Sequence, residues 1–75
     1  MYTRIGKYIH DKRMGKKIRL KDVGKVLSLT VTNVYHKESG IRKFTLKEAI
    51  ILSEMLDFSL DELKKEALKG LKEDE

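Results

Sequence analysis

Along most of this 75-residue chain, apolar side chains return at every third or fourth position, the period of a helix buried along one side. Ile5, Tyr8 and Ile9 make one such stripe, and Leu20, Val23 and Leu27 a second. Leu46, Ala49, Ile50, Ser53 and Leu56 make a third, and Leu60, Leu63, Ala67 and Leu71 a fourth. The starts are marked as well. Thr45-Leu46-Lys47-Glu48 and Ser59-Leu60-Asp61-Glu62 both read as capping boxes, in which hydroxyl and carboxylate each satisfy an otherwise orphaned backbone amide. Phe58, just before the second box, is placed to staple onto Leu63, and Gly15 and Gly40 read as helix stops.

One segment breaks the pattern. Residues 27–35, Leu-Ser-Leu-Thr-Val-Thr-Asn-Val-Tyr, have the Val and Thr content of a strand. A lone strand among helices has no partner for its backbone groups, so a short helix over residues 31–38, capped by Thr30, is the better reading. The expectation is an all-α domain of five helices over residues 1–71, with a polar tail at residues 72–75 that frays. Seventy-five residues suffice for one small core and not for two.

Several function classes are set aside by what the chain lacks. Without cysteine there is no disulfide, thiolate zinc site or thiol catalysis. The longest apolar run, residues 49–52, is too short for a membrane span or a signal peptide, so a cytoplasmic protein is expected. His10 and His36 have no partner at ligand spacing, the glycines are scattered, and no nucleophile motif surrounds any serine. No metal, cofactor, small-molecule ligand or catalytic residue is therefore assigned.

Charge is unevenly spread. Residues 1–43 hold twelve Lys or Arg against Asp11, Asp22 and Glu38, a balance of +9; residues 44–75 hold five Lys against nine acidic residues, a balance of −4. Segregation of this kind points to an anionic partner, with nucleic acid ahead of an anionic membrane. No helix joins a basic face to a bulky aromatic one, which weakens the membrane option.

The second and third helices, joined by a turn of three or four residues, have the makings of a helix-turn-helix. Gly24 supplies the small residue that two closely crossing helices require. Val23, Leu27, Leu29 and Val34 would face a shared core, and Ser28 sits in the turn. Over residues 5–63 the chain resembles, without a gap, the Cro/cI-type (Xre-type, lambda-repressor-like) family of DNA-binding proteins. The resemblance is carried by Arg13, by residues 23–28, by Thr30 to Val34 as the entry to a recognition helix, by Glu38-Ser39-Gly40-Ile41-Arg42-Lys43, and by residues 56–63. Phe44 stands where the family often has proline, Ser28 where it has glycine, and Arg19-Leu20 where it has Ser-Gln. Lys37 takes a position that is usually apolar, so its stem is expected to snorkel.

The resemblance implies binding to double-stranded DNA as a homodimer, in a repressor of a phage, mobile element or restriction–modification locus. It also implies a half-buried structural ion pair between Arg13 and Glu38. Helical geometry sorts the third helix independently. At about 100° per residue, with Val34 inward, Thr32 and His36 lie nearly opposite it and Asn33 and Tyr35 flank them. Thr32 and His36 are the expected base readers, with Val31, Asn33 and Tyr35 beside them. Thr30, Lys25, Arg42 and Lys43 are the expected phosphate contacts. Leu68 and Leu71, beyond what closing the core requires, are the expected dimer contact. The alternative is a protein-interaction module, an antitoxin or adaptor on the same fold, whose mixed acidic face after Thr45 meets a protein.

Overall fold

The computed structural model describes residues 4–73, with side chains through residue 69. These form five α-helices in the order α1 (Arg4–Gly15), α2 (Leu20–Leu27), α3 (Val31–Glu38), α4 (Leu46–Met55) and α5 (Leu60–Glu73). No strand occurs among the described residues. The segment of strand-like composition is a helix over the expected residues. None of these helices is long and apolar enough to cross a membrane. α5 takes in Lys72 and Glu73, the first residues of the expected tail; Asp74 and Glu75 lie outside the described residues.

The helix starts follow from side-chain caps. Thr30 Oγ1 accepts the Asn33 N–H at 3.1 Å and opens α3. Thr45 and Glu48 exchange both bonds of a capping box at the head of α4, at 3.1 and 2.9 Å. Ser59 and Glu62 do the same for α5, more loosely. α2 has half a box: Arg19 has no acceptor to offer, but its N–H donates to Asp22 Oδ2 at 3.2 Å.

The helix ends were less legible. Lys17, Ser28 and Asp57 adopt left-handed backbone, with φ of 58°, 59° and 58°. Each is followed by an apolar residue whose N–H reaches back five positions: Ile18 to Arg13 O at 3.1 Å, Leu29 to Gly24 O at 2.8 Å and Phe58 to Ser53 O at 3.0 Å. These are Schellman closures, with the apolar residue folded back onto the core. Gly40 takes the left-handed position expected of it, with φ 88°. Gly15 does not. It is the last residue of α1, and Lys17 makes the turn instead.

Ile9, Val23, Val34, Ala49, Leu52, Leu56, Phe58 and Leu63 form the core, with Ile5, Tyr8, Ile18, Leu20, Leu27, Leu29, Phe44 and Met55 packed around it. Two expected stripes need correction. α4 turns Ala49 and Leu52 inward, leaving Leu46 and Ile50 exposed and Ser53 half-buried. Residues 49–52 are apolar on every side of the helix, so spacing alone allowed either register. On α5, Leu63 is buried and Ala67 half-buried, but Leu60 is exposed.

α1 packs on α3 and α5, α2 on α3 and α4, and α4 on α5. The α1–α5 seam is partly polar. Tyr8 meets Phe58 edge to face, ring centres 5.4 Å apart, and donates its hydroxyl to Glu62 Oε2 at 3.1 Å. Burial, then the hydrogen bond and charge of Glu62, push the Tyr8 phenol up to about 12.

Candidate nucleic-acid interface

The turn between α2 and α3 is as tight as backbone permits. A Cβ on Gly24 would lie 2.5 Å from the carbonyl oxygen of Leu29, so no larger residue fits without moving the main chain. The same oxygen-to-backbone approach fixes α3 against α2, with Val23 and Val34 buried between them.

The far end of α3 is held by charge. Arg13 Nε donates to Glu38 Oε2 at 2.7 Å and Nη2 to Oε1 at 3.1 Å, a two-pronged pair, while Nη1 donates to the Ile18 carbonyl at 2.9 Å. Arg13 is 6% exposed and Glu38 1%, so the pair is buried rather than half-buried as expected. His10, which the sequence did not connect to the pair, completes it. Its Nδ1 lies 3.1 Å from Glu38 Oε1 and 3.2 Å from Arg13 Nη2. The two contacts are alternatives: a protonated Nδ1 donates to the carboxylate, a bare one accepts from the guanidinium. His10 and Arg13 are three residues apart on α1, so helical spacing already placed them on one side.

Lys37 also departs from expectation. Instead of snorkelling to solvent it donates to Glu48 Oε1, the oxygen that accepts the Thr45 amide, with both side chains largely buried. Burial by itself would raise the Glu48 carboxyl. The Lys37 hydrogen bond and charge, with the amide and hydroxyl of Thr45, outweigh it and hold Glu48 below the ordinary carboxylate range. α3 is thus tied to α1 by one ion pair and to α4 by another.

What these ties leave facing outward is a mixed side of α3, polar but for Val31 and the Tyr35 ring. Thr32, Val31 and Tyr35 are exposed, and Asn33 and His36 half-buried. The Tyr35 and His36 rings lie 6.2 Å apart. Thr30 is exposed and spends only an acceptor lone pair on its cap, so its O–H remains able to donate. Lys25 on α2 and Arg42 and Lys43 after α3 are exposed, with no ion pair among the described residues. The same holds for Lys16, Lys17 and Lys21, not singled out from the sequence, although Lys21 is one turn before Lys25 and shares its face. The two acidic residues within this stretch, Asp22 and Glu38, are both engaged by arginine. Six cations therefore stand uncompensated along the chain that brackets α3.

Leu68 is exposed, as a dimer contact would require. The side chain of Leu71 lies outside the described residues. No protein-family model, curated protein or solved structure matches this chain at a significant level.

Proposed function

We propose that this chain is a sequence-specific binder of double-stranded DNA: a lambda-repressor-like helix-turn-helix protein, α2–turn–α3, that represses transcription. One observation carries the reading. The face of α3 that is neither packed nor ion-paired carries Thr32, Asn33 and His36 with Val31 and Tyr35 beside them, and the chain on either side of it supplies cations without ion-pair partners among the described residues. Thr32 and His36, with Val31, Asn33 and Tyr35, reach base edges in the major groove. Thr30, Lys25, Arg42 and Lys43 hold phosphates and set the register. One short helix reads few base pairs, so the protein binds two half-sites about 34 Å apart as a two-fold dimer.

Duplexes selected from a random pool supply the operator for the test. Thr32→Ala or His36→Ala should weaken binding by about 1–3 kcal/mol at particular base pairs and relax preference there, with little change in salt dependence. Arg42→Ala should weaken operator and scrambled duplex alike and lower the salt slope by about one. If the wild-type protein shows neither sequence discrimination nor a salt slope, DNA binding is wrong. The cationic surface would then be ordinary solvated charge, leaving the antitoxin or adaptor reading.

A further inference from the structure

We infer that the outer face of α4 is a two-fold contact between two copies of this chain, centred on Ile50. The inward side of α4 is closed by Ala49 and Leu52. At about 100° per residue the opposite side carries Lys47, Ile50 and Glu54, all exposed, with the exposed Leu46 and the half-buried Ile51 on its two flanks. Leu46 is 75% exposed and Ile50, one turn on, 43%. Single exposed apolar side chains are commonplace. Here two share a face with two opposite charges, and the arrangement of those charges selects the occupant.

Lys47 lies in the first turn of α4 and Glu54 in the last, seven residues apart and therefore on one flank. Neither has an ion pair among the described residues. Each is at the wrong end for its own helix, because the N-terminus of a helix carries partial positive charge and the C-terminus partial negative. Each is at the right end for an antiparallel copy. A two-fold axis passing near Ile50 sets Lys47 of one copy against Glu54 of the other, twice over, while Ile50 packs on its counterpart and Leu46 lies over the stem of the other copy's Glu54. A uniformly acidic or basic partner would match one end of the helix and clash with the other. A second copy matches both. The patch involves fewer residues than the roughly 20–30 a side of a standard interface, so the association belongs with the weak, transient ones.

Sedimentation equilibrium of the full chain without DNA, from micromolar to millimolar concentration, tests this. Wild-type protein should form dimers, and Ile50→Asp should remain monomeric with its helical circular dichroism intact. Lys47→Glu and Glu54→Lys should each weaken self-association about tenfold, since both reciprocal pairs become repulsive. An equimolar mixture of those two variants should recover wild-type association, because in the mixed dimer both pairs are again opposite in sign. Damage to the fold cannot produce such a recovery. A wild-type monomer throughout the range overturns the proposal. So does a dimer abolished by Leu68→Asp but not by Ile50→Asp, or a mixture no stronger than its components. Because DNA is absent, the result is independent of whether the DNA-binding proposal stands.

Discussion

Lys17, Ser28 and Asp57 each hold a left-handed backbone that glycine adopts freely and other residues adopt at about 1–2 kcal/mol. Glycine there relieves the strain but also loosens the unfolded chain, which returns part of the gain. Lys17→Gly and Ser28→Gly should therefore each stabilise the protein by about 0.5–1 kcal/mol, and Asp57→Gly by less, because Asp tolerates this conformation better. Urea unfolding of the three variants beside Ser28→Ala checks it; a glycine variant no more stable than the alanine one refutes the account. The turn at Ser28 was anticipated, but those at Lys17 and Asp57 were hidden because the usual signal is glycine, and Gly15 sits near the first of them without using positive φ. The legible signal was the apolar residue that follows each turn: Ile18, Leu29 and Phe58. Gly24 was readable for the opposite reason. Its role is lack of bulk, and helix crossing demands that at one place.

Among the helices, α3 is short and polar on one side, so its position rests on what grips its ends. Its cap at Thr30 and its bounds were evident from residue types, as were the caps of α4 and α5. The Arg13–Glu38 grip was suggested by resemblance alone, since nothing local to either residue pairs positions 25 apart in the chain. That Lys37 turns inward was not visible either, because its partner belongs to the next helix. Glu38→Ala leaves a buried guanidinium unpaired and should cost about 3–5 kcal/mol. Arg13→Ala should cost a similar amount, and the double variant clearly less than the sum. Thermal unfolding of the cycle measures the coupling; simple additivity would mean the observed geometry contributes no energy. The inward register of α4 was misread for want of contrast, and what that error concealed was its exposed face.

At the scale of the whole molecule, α1 and α5 close the fold along a seam joined by Tyr8, Phe58 and Glu62 and extended by Arg4 and Glu66, 3.9 Å apart. The seam is sensitive to alkali, in a direction that can be derived. The folded Tyr8 keeps its proton up to about 12, against an ordinary value of 10.0, so the folded state binds that proton more tightly than the unfolded one. Its contribution is complete below pH 10 and is lost as pH rises from about 10 to about 12. Tyr8→Phe should flatten this alkaline limb of the stability curve; a limb left unchanged by that substitution would show that the seam does not hold the proton. The seam also sets an order of events during synthesis. α5 packs on both α1 and α4, so during synthesis the surface that those two helices share with it stays in water until α5 has emerged. Closure of that side of the core therefore waits on α5, whatever the first four helices have already formed.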